Sequence, residues 1–444
     1  MKILLINPNW GGKVSQKGKR YNRSFPPIDL LVIGAILREK GDIPYLYDAN
    51  VYYDKKEIKT LCENSDLVII TSTPYYKWQC PNLNYEDFLE FCKILPKEKT
   101  IIYGGHITQY PDFFMTETGF RYGIVGEPED NISDLVEEIK NNSINFNEKN
   151  YYIKKSEKDV DIENLPIPAF DLTLKYKKYY EYEILGKNLM TLEASRGCPF
   201  KCIYCYQGMF GKRVRKKSVS KIFNEMLEAI KFGYKNFYIY DLEFTIHKDL
   251  VKSLCKKIIE EKLKINWCCQ GRADSLDEDM VKLMKKSGCK IIHFGVESGS
   301  DKILDSIKKK TTKEELKRGF NLTKKYNIET AGFFMFGLPE EIEENWRETI
   351  KFAKELNPDY ASFHISSLYP DTELYQKYLQ SGGNKDILYP ECFDTIHNKE
   401  RLEKIVRKAF LQYYFRLGYI LKRIIKGNPL KWWKQFKLFL SFLK

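Results

Sequence analysis

Short apolar runs alternate with amphipathic stretches along most of the chain. Ile3–Ile6 is continuously apolar and is ended by Asn7-Pro8-Asn9, which predicts a buried first strand. Pro27 then opens a helix on which Leu30, Leu31, Gly34 and Leu37 share a face, and Gly41 closes it. Ile43–Tyr47, Leu67–Ile70, Ile101–Tyr103 and Tyr122–Val125 predict further strands, with helical stretches between them and a last one over Ile132–Ile139. Strands joined by crossover helices predict a doubly wound parallel α/β sheet, flavodoxin- or Rossmann-like, over residues 1–140.

Residues 141–185 are first polar (Asn141-Asn142-Ser143) and then proline-bearing (Leu165-Pro166-Ile167-Pro168), as a linker would be. A second alternating series fills residues 186–375. Its strand candidates are Met190–Ala194, Phe237–Tyr240, Ile265–Cys268, Ile291–Val296, Glu329–Phe336 and Tyr360–Ile365, separated by helical stretches such as Val219–Phe232 and Asp277–Lys286. These units are too few for a closed eight-unit barrel, so a partial (β/α)6 barrel is expected, with its chemistry at the carboxyl ends of the strands. Residues 376–444 form a helical, basic extension.

Charge changes the picture only at that extension. The net charge is +13, but after Glu403 there are eleven Lys or Arg and no acidic residue, so the rest of the chain carries 13 − 11 = +2. In the last helix Trp432, Trp433, Phe436, Phe439, Leu440 and Leu443 share a face, and Lys434, Lys437, Ser441 and Lys444 the other. Such a helix suits either packing on its own protein or an anionic membrane surface. No recognition motif accompanies the charge, so no nucleic-acid partner is expected. The first apolar run is too short for a signal peptide, and no run of about 18 apolar residues occurs. The cytoplasm is the expected compartment, with peripheral membrane contact through the tail. Eleven cysteines without a regular spacing favour free thiols and a metal site over a disulfide framework.

The metal site is legible. Ser195-Arg196-Gly197-Cys198-Pro199-Phe200-Lys201-Cys202-Ile203-Tyr204-Cys205 follows the first strand of the second series. Three thiolates spaced C-x3-C-x2-C can hold three irons of a [4Fe–4S] cubane and leave the fourth open for a ligand. A zinc knuckle would need a fourth Cys or His nearby, and none follows at a usual spacing. Cys268, Cys269 and Cys289 lack cluster spacing and read as core.

With Cys198, Cys202, Cys205 and the aromatic Tyr204, the segment resembles the radical S-adenosylmethionine (SAM) superfamily. The resemblance implies that SAM chelates the open iron, and that one-electron reduction cleaves it to a 5′-deoxyadenosyl radical that abstracts hydrogen from the substrate. Asp241 and Glu243, in Asp241-Leu242-Glu243-Phe244-Thr245, lie where the family places acids near the SAM amino group, a partner a cation needs. Arg272 lies where it would pair with the SAM carboxylate. Glu297 and Ser298, in Gly295-Val296-Glu297-Ser298-Gly299, lie around the ribose, and Phe334–Pro339 resembles the segment that packs on adenine.

The two series together resemble the branch of that superfamily with a cobalamin (B12)-binding domain. Pro26–Leu31, Thr71-Ser72-Thr73-Pro74, Gly104-Gly105-His106-Ile107-Thr108 and Gly126-Glu127-Pro128-Glu129 carry the likeness. They lie at strand ends, where open α/β sheets bind ligands. Gly104 and Gly105 would let backbone approach a corrin, and Ser72, Thr73 and Thr108 can bond its amide arms; the resemblance also implies Gly126 and Glu127 at the cobalamin site. His106 reads as a residue behind the corrin rather than a cobalt ligand. The loop after the first strand departs from the mutase pattern D-x-H-x-x-G and carries no His, as is common in this branch. The resemblance implies a cobalamin-dependent methylase acting on an unactivated carbon of a small, lipid-like or secondary-metabolite substrate, with an electron donor such as flavodoxin or ferredoxin. Two other readings stay open: a radical cyclase or rearrangement enzyme without methyl transfer, and a cluster-containing binding or regulatory protein.

Overall fold

The computed structural model describes residues 1–9, 23–75, 85–146, 148–156, 158–390 and 398–426. The chain divides into two compact units. The first comprises 1–199, 207–244 and 253–267; the second comprises 200–206, 245–252 and 268–444.

The first unit opens with the expected parallel sheet. Its strands are β1 (Lys2–Asn7), β2 (Ile43–Asp48), β3 (Leu67–Thr71), β4 (Thr100–Tyr103), β5 (Tyr122–Val125) and β6 (Tyr152–Lys155), in the order β2-β1-β3-β4-β5-β6. Helices α1 (Ile28–Glu39), α2 (Lys55–Glu63), α3 (Glu86–Cys92), α4 (Gly105–Gln109), α5 (Pro111–Thr118) and α6 (Glu129–Lys140) lie between the strands. Leu4, Ile6, Val68, Ile70 and Ile102 form one core with Ile58, Phe88, Phe91 and Phe114 from the helices. The strand order reverses between β1 and β3, which puts a ligand crevice at their carboxyl ends.

Two features differ from the sequence-based expectation. β6 comes from the stretch expected to be linker; its side chains are only half-buried, the pattern of an edge strand, which apolar periodicity does not reveal. Phe170, Tyr176 and Tyr180 of the same stretch are buried. The segment packs over α1: Ala169 N donates to Leu31 O at 3.0 Å, and a Cβ on Gly34 would stand 2.7 Å from Leu172 Cδ1. Residues 28–37 of α1 are accordingly buried on every side, not along one stripe.

The second sheet is the partial barrel: β7 (Leu189–Leu192), β10 (Asn236–Ile239), β11 (Asn266–Gly271), β12 (Cys289–Glu297), β13 (Glu329–Phe336) and β14 (Tyr360–Ile365), in that order. Two short strands between β7 and β10, β8 (Ser195–Arg196) and β9 (Arg215–Lys216), pair antiparallel. The helices are α7 (Val219–Lys231), α8 (Lys248–Glu260), α9 (Glu278–Lys286), α10 (Asp301–Ser306), α11 (Lys313–Lys325), α12 (Glu343–Leu356) and α13 (Glu373–Gln380). Two of these helices are capped by side chains: Ser218 and Asp277 accept from Lys221 N and Met280 N.

The extension continues as α14 (Lys399–Tyr414) and α15 (Leu417–Lys426). Part of its charge is structural. Arg416 donates to Lys354 O and Asn357 Oδ1 at 3.1 Å each, and Arg423 stacks 4.4 Å from the Tyr360 ring centroid. The expected Trp432–Lys444 helix lies outside the described residues. No helix among the described residues is long and apolar enough to cross a membrane.

Candidate active site

The cysteine loop is built by the β8–β9 pairing, which brackets it. Gly197 adopts φ +81°, and a Cβ there would overlap the Arg213 carbonyl, so only glycine fits. Cys205 N donates to Cys202 O at 3.2 Å, closing a tight turn. Ile203 is pinned on both sides, its N–H donating to Ile307 O at 3.1 Å and its carbonyl accepting from Leu374 N at 2.9 Å. Ile203 and Tyr206 are thereby buried, while Cys202 and Cys205 stay half-exposed and Cys198 is buried. The nine described cysteines are free thiols. Among the described residues no three metal-binding side chains converge on a single ion; cubane ligands bind different irons and do not need that convergence.

Beside Cys202 and Cys205 lies a buried polar network. Tyr204 OH donates to Glu297 Oε1 at 3.1 Å, and Lys309 Nζ donates to the same oxygen at 3.1 Å and to the phenol oxygen at 3.4 Å. Burial, then the charges of Glu297 and the two thiols, raise the Tyr204 phenol well above its usual range, so it remains a donor. Glu297 holds φ +67°, uncommon for a non-glycine residue. Gly295 makes room for it: a Cβ there would overlap Glu297 Oε1 and stand 2.9 Å from Lys309 Nζ. Arg272 supports the same loop, donating to Lys309 O at 2.9 Å and Lys310 O at 3.0 Å. Its guanidinium pairs with Asp274 at 2.7 Å and covers the Phe200 ring at 4.0 Å.

Of the other expected SAM residues, Asp241 and Ser298 are bonded within the fold. The Asp241 carboxylate accepts from Ala194 N at 2.8 Å and Ser195 Oγ at 2.6 Å, and burial raises its pKa to about 7. Ser298 Oγ lies 3.3 Å from Thr349 Oγ1, and Glu243 is half-buried.

At the crevice of the first sheet, Ser72, Thr73, Gly104, Gly105 and His106 come together. His106 Nδ1 lies 2.6 Å from Thr73 Oγ1 and 2.8 Å from Ser72 O, and its fully buried ring stacks on Phe88. Gly104 has φ +114°, and a Cβ would stand 2.8 Å from Ser72 Oγ and Thr73 N. Thr108 Oγ1 accepts from Gly126 N at 3.0 Å. Glu127 is engaged elsewhere: Arg196 and Arg215 donate to its Oε2 at 2.8 Å each, and Arg215 also meets its Oε1.

Sequence reasoning missed Lys309 and Arg196. Lys309 sits in the run Lys308-Lys309-Lys310, which reads as surface charge, yet its side chain is 5% exposed. Arg196 is fully buried and joins Glu193, Glu127 and Glu129 at 2.7, 2.8 and 2.6 Å. Its place directly before Gly197-Cys198 was the only available signal.

A cysteine loop follows the first strand of a partial barrel, and a buried Glu–Lys–Tyr network lies beside it. The chain matches the model of the radical SAM superfamily over residues 192–353, a match that implies a [4Fe–4S] cluster and SAM as cofactors. It is 27% identical to an uncharacterized methyltransferase of Pyrococcus horikoshii, over 96% of this chain and 98% of that one. It is 26% identical to the anaerobic magnesium-protoporphyrin IX monomethyl ester cyclase of Rubrivivax gelatinosus, over 94% of this chain and 79% of that one. The fold is shared with OxsB, a cobalamin-dependent SAM radical enzyme solved with aqua-cobalamin and SAM bound. The TM-score is 0.71 at 18% identity, covering 99% of this chain and 70% of that chain.

Proposed function

We propose that this radical SAM enzyme binds cobalamin in the first-sheet crevice and methylates an unactivated carbon of a small, largely apolar substrate. The observation that carries the cobalamin reading is a set of unsatisfied polar atoms there. Asn7 Oδ1 and Ser72 Oγ, at the carboxyl ends of β1 and β3, are buried without a hydrogen-bond partner among the described residues. Native proteins leave few such groups unpaired, and a ligand with amide arms supplies the missing donors and acceptors. The methyltransferase relative, matched over nearly both full lengths, supports methyl transfer.

When bound, the cluster and SAM supply a hydrogen-abstracting radical, and cobalamin supplies a methyl carrier. The chain's own residues bind and orient. Cys198, Cys202 and Cys205 would hold three irons. Lys309 is placed to meet a carboxylate, and Glu297 an ammonium or a ribose hydroxyl. Tyr204 keeps Glu297 oriented as its donor. Asp241 fixes Ala194 and Ser195 ahead of the cysteine loop.

A cyclase or rearrangement enzyme is the second reading, favoured by the similarity to the Rubrivivax protein. Methyl-labelled SAM separates the two: label in the product supports methylation, and an unlabelled, rearranged product supports the cyclase. Cobalamin binding is tested by mixing the intact protein with hydroxocobalamin. A base-off visible spectrum is expected, lost on replacing Gly105 with Phe, and no affinity for any cobalamin would overturn the reading.

A peripheral membrane role for the extension has one support. Leu417, Leu421 and Ile425 recur every four residues on α15 and are 79%, 55% and 81% exposed, an apolar stripe on a basic helix.

A further inference from the structure

One face of the barrel sheet carries polar groups that neither the cysteine loop nor the Glu297 network uses. Along β14 successive side chains point to opposite faces. Ala361 and Phe363 are buried, and Phe363 stacks on Phe334 and Phe336 with ring centroids 5.2 and 6.2 Å apart. Ser362 and His364 therefore face the other way, in register with Phe333 and Met335 of β13. His364 stacks on Phe333 at 6.3 Å with 24° between the planes, and His293 of β12 meets the same ring edge-on at 6.0 Å. Ser362 Oγ lies 2.7 Å from His364 Nε2.

His364 is exposed to solvent, yet desolvation lowers its imidazole pKa, with the charge of Glu297 opposing the shift. The ring is thus reached by solvent at the edge of a sheet face that also carries Phe333 and His293, where a ligand can approach it. Met335, in register with His364, packs against the same core cluster as Tyr204, and Glu297 is in register with Phe334 on the same strand as Met335, so this face adjoins the cysteine loop and the Glu297 network.

We infer that His364 and Ser362 form a substrate-recognition subsite for a neutral molecule with a planar, apolar body and a hydroxyl group. The body would lie against Phe333 and Met335, and the hydroxyl would bond to His364 Nδ1. This rests on the radical SAM reading, because the substrate must reach the sheet face that adjoins the cysteine loop. Two observations and one energetic argument select the chemistry. Nε2 is engaged by Ser362, and Nδ1 has no partner among the described residues. The charges of Glu297 and Lys309 neutralise one another, so an ionic substrate would find no counter-ion on this wall. A hydrocarbon without a hydroxyl would displace water from Nδ1 and leave it unpaired, the arrangement that discriminates most strongly between substrates.

The test uses cluster-loaded full-length protein with SAM and three probes: 1-naphthol, naphthalene and 1-naphthoate. Dissociation constants come from equilibrium dialysis, and contact is read from histidine ring resonances, of which there are five. Naphthol is expected to bind at least 10-fold more tightly than either other probe and to shift the His364 resonances. His364→Phe, which keeps the stacking and removes the nitrogen, should lower naphthol affinity to the level of naphthalene. Naphthalene affinity and substrate-free formation of 5′-deoxyadenosine should change less than 2-fold. The inference is overturned if no probe binds, if naphthoate binds best, or if wild-type protein does not distinguish naphthol from naphthalene. Loss of SAM cleavage in His364→Phe would also overturn it, by assigning His364 to the SAM site. Wild-type protein that discriminates the probes but cleaves no SAM rejects the radical SAM reading and not the subsite.

Discussion

Replacing Arg196 with methionine should destabilise the first unit and empty the cysteine loop. The guanidinium is 0% exposed and holds Glu193, Glu127 and Glu129, themselves 2%, 4% and 1% exposed. Removing one partner of a buried ion pair costs about 3–5 kcal/mol, because the other charge is left uncompensated. Two of the three carboxylates keep a cation: Arg215 still holds Glu127, and Lys217 lies 3.8 Å from Glu193. Glu129 keeps only the Tyr75 hydroxyl at 2.8 Å. One uncompensated carboxylate predicts the lower end of that range, about 3 kcal/mol. With a urea slope of about 1–3 kcal/mol/M, the midpoint should fall by about 1–3 M. Adding Glu129→Gln should restore more than half of the loss. The deficit should also depend on pH. Burial raises the Glu193 carboxyl, but the charges of Arg196 and Lys217 outweigh it and hold its pKa below 4.5. Its stabilising contribution is present above pH 4.5 and lost as the pH falls through the depressed value, so the gap between wild type and variant should narrow below that pH. Because Cys198 lies two residues on, the folded variant should also reconstitute with less iron. A variant as stable as wild type at pH 7, or one that Glu129→Gln does not rescue, would refute the reasoning.

Gly295→Ala should weaken SAM binding by about 10-fold, about 1.4 kcal/mol, since its Cβ overlaps the Glu297 carboxylate; unchanged affinity in equilibrium dialysis would separate Glu297 from the SAM site. Asp48 is pushed to about 7 by burial, although Tyr180 and Asn7 donate to it at 2.7 and 2.8 Å. Its contribution is full below the unfolded pKa of 3.8 and is lost as the pH rises to about 7, by up to about 1.4 kcal/mol per unit, so Asp48→Asn should flatten stability across that window in urea titrations. Vesicles containing anionic lipid should bind the intact chain, less so at high salt, and Leu421→Glu with Ile425→Glu should reduce that binding; equal sedimentation of both proteins would dismiss the α15 stripe as a membrane surface.

Much of the architecture was legible because it depends on local regularities. Apolar runs broken by Asn, Gly and Pro marked the strands, and the cysteine spacing marked the loop that Gly197 makes feasible. What was not legible depends on burial, which one sequence does not carry. Tyr152–Lys155 is two half-buried apolar residues followed by two lysines, and looks like linker. Lys309 reads as one of three surface lysines until Tyr204 and Glu297 are seen around it. Glu127 was expected near a corrin from the family resemblance of Gly126-Glu127-Pro128-Glu129, and the two arginines that engage it come from 69 and 88 residues away.

The most direct test of the account is the fate of SAM on the reduced, anaerobically reconstituted protein. About four irons and four sulfides per chain are expected, with SAM converted to 5′-deoxyadenosine, and Cys202→Ala should abolish both the cluster absorbance and the product. An intact cubane in a variant lacking Cys198, Cys202 and Cys205 together, or SAM cleavage that persists in it, would contradict the central claim.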